Sequence, residues 1–145
     1  MDERVIAAAT RVRAFLVAIP ASEYETGDGD FPVGWCGHAS ELLCTYLNDR
    51  EPGVGAFEHV WGERHRPKYQ THAWVEGSGV ISDITADQFD PDLPGVWITA
   101  DRGWHGQFSE AGRYQSDVRT NPDPFGWLPR LYSQLVAGDV NPPAS

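Results

Sequence analysis

The sequence predicts a single α+β domain over residues 1–145, with N-terminal helices packed on an antiparallel β-sheet, and three observations carry that expectation. Apolar residues recur at three- and four-residue spacing near the N-terminus and again from residue 36. β-rich runs separated by Gly, Pro and charged turns then fill residues 56–99, and a last helical pattern follows them. A chain of 145 residues is long enough for one core and too short for two ordinary domains of roughly 100–200 residues each.

Each element has its own signal. Val5, Ile6, Ala9, Val12, Phe15, Leu16 and Ile19 form one stripe, so residues 3–18 are an expected helix, stopped by Pro20. Residues 20–34 are rich in Gly, Pro and acids and have neither helical nor strand period, which reads as an irregular loop. A second helix is expected at 36–48, with Ala39, Leu42, Leu43, Tyr46 and Leu47 buried. Strands are expected at 56–61, 68–76, 80–85 and 95–99, in one antiparallel sheet. The loop DRGWHGQF at 101–108 and a polar stretch ending in NPDPFG lead to a final helix near 126–136.

Charge and composition narrow the function classes. Twenty-one acids against eleven bases give a formal net charge of -10, which disfavours nucleic acid and anionic membrane as partners. No apolar run approaches the roughly 18–20 residues that cross a bilayer, and Arg11 and Arg13 interrupt the apolar start, so a cytoplasmic chain without a leader is expected. Lys68 is the single lysine beside ten arginines, a bias typical of a GC-rich genome. Cys36 and Cys44 lie eight residues apart in one expected helix, roughly 12 Å along its axis, too far to pair as a disulfide. Two free thiols fit a reducing compartment.

The chemistry converges on Cys36. A nucleophilic cysteine must be a thiolate, and a helix N-terminus, with its unpaired N–H groups, favours one. Cys36 opens the second helix between two glycines in GWCGHASELL, which keep its sulfur accessible and its own N–H available as an oxyanion donor. A base is needed next. Among the five histidines, His65 lies in the charged turn GERHRPK, and His38 is two residues from Cys36 on the same helix, a spacing that does not face it. His72 sits inside the strand THAWVE. If Gly77 and Ser78 form the hairpin turn, His72 lies opposite Asp83; if Ser78 and Gly79 form it, Asp83 is a diagonal neighbour on the same face. A three-residue loop would put Asp83 on the other face. Cys36, His72 and Asp83 thus make a nucleophile, base and orienter set.

GWCGHASELLCTYL followed by THAWVEGSGVISDITADQF resembles the transglutaminase-like branch of the papain-like cysteine enzymes. DITADQF and the later RGWHGQF also resemble a group of small bacterial proteins that share this core. The resemblance covers roughly residues 30–108 and implies a papain-like core with Cys36 as nucleophile, His72 as base and Asp83 as orienting acid. Papain-like peptidases usually carry a Gln upstream of the nucleophile to complete the oxyanion hole, but no Asn or Gln precedes Asn48 here. Tyr24 and Trp35 are the upstream aromatic side chains with a polar hydrogen, and the resemblance offers them as oxyanion donors, beside a main-chain N–H.

Trp74, at alternate spacing from His72, is expected to wall the cleft or pack in the core, and Trp104 with His105 to cover the cleft as a lid or plug the loop onto the sheet. Cys44, among Leu42, Leu43 and Tyr46, reads as core filler. Cys36, His38, His72 and Asp83 are permissible zinc ligands, yet only Cys-x-His is closely spaced, so no metal and no cofactor are expected. Asp28, Asp30, Asp87, Asp90 and Asp92 lack the spacing of a calcium loop. The expected activity is a thiol-dependent amide hydrolase, peptidase or deamidase, on a peptide or protein amide. Transglutaminase-type acyl transfer and an inactive papain-like binding module are the alternatives, and the oligomeric state is left open.

Overall fold

Asp2 starts the first helix: its carboxylate accepts the Arg4 N–H at 2.8 Å, capping α1, Glu3–Val17. We describe residues 2–19, 35–120 and 126–140 of a computed structural model. Val5, Ala8, Ala9, Val12 and Leu16 form the buried stripe of α1. They pack against α2, Cys36–Arg50, through Ala39, Leu42, Leu43 and Leu47. The closing helix α3, Trp127–Val140, adds Leu128, Leu131, Tyr132 and Leu135 to the same core. Asp139 ties it down, accepting from Arg11 at 2.9 Å and from the Tyr46 hydroxyl at 2.7 Å.

Five strands form one antiparallel sheet: β1 Phe57–Arg64, β2 Gln70–Gly77, β3 Val80–Asp83, β4 Trp97–Thr99 and β5 Ser109–Tyr114. Their order is β4-β3-β2-β1-β5, so β2 lies at the centre. The α+β expectation is met, and the helices and first four strands fall near their expected ranges. The fifth strand was not expected. Its sequence SEAGRY has low β-propensity and no alternation, because as an edge strand against β1 it is largely exposed on both faces. β3 also stops at Asp83, short of the expected residue 85. The Asp83 carboxylate turns back to accept the Thr85 N–H at 3.0 Å, which takes the chain out of the ladder.

The two faces of the sheet do different work. Phe57 and Val75 face the helices and join their core. On the other face Val60, Trp74 and Ile81 pack with Phe108, and Phe89 and Trp104 close over them. Antiparallel pairing of Val60 with Trp74 and of Gly62 with His72 puts His72 on this second face. Two arginines fix the covering segment. Arg13 of α1 bonds Asp87 at 2.7 and 2.8 Å and the Ile84 carbonyl at 2.8 Å. Arg64 lies 5.5 Å from the Phe89 ring and 5.0 Å from the Phe108 ring and also binds Gln107. No helix among the described residues is long and apolar enough to cross a membrane.

The β2–β3 turn uses Ser78 and Gly79, with φ of 56° and 77°, and pairs Gly77 with Val80. Positive φ at both central positions is the twist-matched hairpin turn that suits glycine and resists β-branched side chains. Gly79→Val is therefore expected to cost about 1–2 kcal/mol. Urea denaturation should show a lower midpoint with an unchanged slope.

Candidate active site

The hairpin register decides the site. Val75 pairs with Ser82 and Glu76 with Ile81, so one further step sets Asp83 beside Trp74, diagonal to His72 and on its face. This is the second of the two registers considered, and it suffices. His72 Nε2 donates to Asp83 Oδ2 at 2.7 Å. Asp83 Oδ1 is held by the Thr85 N–H, so the carboxylate is bound at both oxygens.

A third group completes the cluster. His105, from the short 3-10 turn His105–Gln107, also donates its Nε2–H to Asp83 Oδ2 at 2.7 Å. The three side chains are buried, with residue exposures of 0 % for His72, 1 % for Asp83 and 2 % for His105. Rings exclude water around them: Phe89 lies 4.9 Å from His72, Phe108 5.5 Å and Trp104 5.6 Å, while Trp97 and Trp74 each lie 5.0 Å from His105. Among the described residues neither of the two buried imidazole Nδ1 atoms has a hydrogen-bond partner.

Burial alone would favour a neutral imidazole at His72. The charge and hydrogen bond of Asp83 outweigh it, the Cys36 thiol adds to them, and together they hold the His72 proton well above the ordinary histidine range. Burial likewise works against the Asp83 charge, but His72 and the hydrogen bonds from His105 and Thr85 win, leaving it ionised far below the usual carboxylate range. Cys36 is half-buried at the first residue of α2, with Trp35 as a cap residue that makes no side-chain capping bond. Its thiol acts on His72 through both proximity and charge, although His72 Nδ1 makes no aligned hydrogen bond in this geometry.

Trp74 is buried in the shell, and its indole N–H donates to Glu76 at 2.9 Å. Burial raises the Glu76 pKa, but bonds from Arg102, Trp74 and Arg113 bring it down to about 2. HAWVE therefore anchors the hairpin to the loop after β4 as well as carrying His72. Trp104 packs edge-on to His72 with ring centres 5.6 Å apart, whereas His105 penetrates to Asp83. Trp35 is buried in the helical core with its ring edge-on to His38 at 5.7 Å. Tyr24 lies outside the described residues. Cys44 is buried, its thiol pushed up to about 11 by desolvation, and His65 is exposed.

Sequence reasoning missed two contacts. One is the His105–Asp83 bond, for which the usable signal was a histidine set among Trp104 and Phe108, since a buried imidazole needs a polar partner. The other is on the helix-facing side, where the Ser40 hydroxyl lies 2.8 Å from His59 Nδ1 and burial lowers the His59 pKa.

His72, Asp83 and His105 also bring three potential metal ligands within 4.8 Å of one another. Their 2.7 Å Nε2–Oδ2 separations are hydrogen-bond distances. Tetrahedral ligands at about 2.0–2.1 Å from zinc stand about 3.3 Å apart, so the cluster has the geometry of a hydrogen-bonded network and does not fit a metal without moving. Comparison with protein-family models, with curated proteins and with solved structures gives no match to this chain.

The pH dependence of stability follows from His72. Its native pKa is raised, so its contribution is complete below the unfolded value of about 6.5 and is lost as pH rises through the native value. Asp83→Asn leaves burial in charge, and burial favours neutral imidazole. The stability advantage of wild type over Asp83→Asn should shrink by about 1–3 kcal/mol between pH 5 and pH 9, at roughly 1.4 kcal/mol per unit of pKa difference. A constant difference in urea unfolding across that range would contradict this assignment.

Proposed function

We propose that the chain is a thiol-dependent amide hydrolase with a papain-like, transglutaminase-like core, acting through Cys36, His72 and Asp83. The observation that carries this reading is the buried Asp83–His72 bond at 2.7 Å, which leaves Nδ1 as the imidazole's other nitrogen, with the half-buried Cys36 at a helix start acting electrostatically on the same ring. The sequence order and the resemblance of HAWVE support it. Because Nε2–H is committed to Asp83, any second proton on the ring sits on Nδ1, where a base for Cys36 must hold it.

The reaction runs in two halves. The Cys36 thiolate attacks the amide carbonyl carbon, and the carbonyl π electrons move onto oxygen, where the Cys36 N–H and a second donor stabilise the charge. Collapse breaks the C–N bond, with the His72 Nδ1 proton passing to the leaving amine. A thioester remains. Water then attacks it, giving its proton to Nδ1 as the C–S bond breaks, and the carboxylic acid and the thiolate are released. An amine in place of water gives acyl transfer with the same residues, and ammonia as the leaving group gives deamidation. A non-catalytic module is the second reading, favoured by the complete enclosure of His72.

Alkylation with iodoacetamide at pH 6, mapped by peptide mass, separates the two. The enzyme reading expects rapid labelling of Cys36 in wild type and Cys44→Ser, slowed about tenfold or more in His72→Ala, with Cys44 silent because it is buried. It also expects cleavage of some peptide amide that Cys36→Ala abolishes. Equal, slow labelling in wild type and His72→Ala would rank the binding module first.

A further inference from the structure

Two histidines reach one carboxylate oxygen, and a nucleophile, base and orienter set needs one. We propose that His105 is a positioning residue that shares Asp83 Oδ2 with His72 and so sets how strongly Asp83 holds the His72 proton. This deepens the hydrolase reading where it concerns catalysis, and that part rests on it; the coupling between the two rings stands by itself.

The geometry supports the role in three ways. First, both Nε2 atoms lie 2.7 Å from the same Oδ2, so each imidazole must carry its proton on Nε2 to donate there. Second, the partners are fully enclosed, and in a low-dielectric surround a donor to an anion weakens that anion's hold on its other donor. Third, the His105 backbone is fixed: the Phe108 N–H bonds the His105 carbonyl at 3.1 Å, the Gly106 N–H bonds the Arg102 carbonyl at 2.8 Å, and Arg102 is clamped to Glu76. His105 is thereby a rigid donor built on a loop that is tied to the same strand as His72.

The charged and titratable groups around the pair come from every packed element. His72 lies on β2 and Asp83 on β3, with Cys36 at the start of α2 acting on His72. Glu76 on β2, balanced by Arg102 and Arg113, stands two residues beyond Trp74 on the same strand. Arg64 on β1 covers the Phe89 and Phe108 rings. His105 donates to Asp83 from a short turn separate from the strands that carry His72 and Asp83, which makes it a tuning group separable from the base.

Losing the His105 donor leaves Asp83 Oδ2 to His72 alone, so the imidazolium is held more tightly. The test is nitrogen-proton NMR of the histidine rings in the full chain across pH 5–10. Wild type should show His105 donating through Nε2–H, and His72 doubly protonated below its titration and as the Nε2–H tautomer above it. His105→Phe, which fills the aromatic nest without a donor, should move the His72 titration upward by on the order of one pH unit. His105→Gln, whose amide N–H reaches the Nε2 position, should return most of that shift. Where amide hydrolysis is measurable, the alkaline limb of its pH profile should follow the His72 titration in each variant. A His72 titration unmoved in folded His105→Phe, a His105→Gln that tracks Phe, or a wild-type His105 in the Nδ1–H tautomer would each overturn the proposal. If His105→Phe does not fold, the tautomer and the Gln variant decide. Should Cys36 prove inert while the titration shifts as described, the hydrolase reading fails and the coupling survives.

Discussion

A carboxylate cannot be left charged in a protein interior without donors, because its desolvation costs several kcal/mol or more. Asp83 is in that position, and the local architecture answers to it. Its Oδ1 takes the Thr85 N–H and its Oδ2 takes two imidazoles, which supplies three donors from three chain segments. Satisfying them requires the β2–β3 hairpin in one register, a turn out of the sheet immediately after Asp83, and a loop from β4 that folds back until His105 reaches the face. Phe89, Trp104 and Phe108 then exclude the water that would screen the charge. The polar network and its apolar cover are therefore one unit.

The sheet also separates two histidine environments. His59, on the helix-facing side, meets a serine hydroxyl, and burial outweighs the charge of Glu41 and pushes it toward the neutral form. His72, on the other side, is at least as buried, yet it meets Asp83 and is driven the opposite way. The same residue type, on opposite faces of one sheet, is tuned in opposite directions because His72 alone of the two bonds a carboxylate directly. His72 is consequently the ring that holds its proton more strongly.

Much of this was legible in the sequence where it obeyed a period. The stripes of α1 and α2 mark their helices, and the β-rich run THAWVE marks a strand, which as the central one is buried on both faces with His72 on one of them. The His72–Asp83 neighbourhood was legible to within two residues of register: both two-residue turns available in EGSGV keep Asp83 on the correct face, and the positive φ of Gly79 with the pairing of Gly77 to Val80 marks the one that forms. Two things were not legible. β5 carries Ser, Glu, Ala, Gly and Arg because an exposed edge strand needs no buried face, so it has no pattern to read. The His105–Asp83 bond joins an irregular loop to a strand end 22 residues away, and no periodicity links such positions.

The edges of the sheet bear on what can approach it. One edge, β4, is three residues long, and the other, β5, presents Glu110 and Arg113, already engaged with each other and with neighbours on β1 and β2. An extended chain seeking to add itself as a sixth strand would find few ladder positions at β4 and would have to disrupt a charge network at β5. Strand addition is thereby disfavoured at both sides, whether the incoming chain is another copy or a peptide. Under the proposed hydrolase reading, a peptide would then be held by contacts other than an added strand of this sheet, which shifts its recognition away from the backbone ladder and toward its side chains.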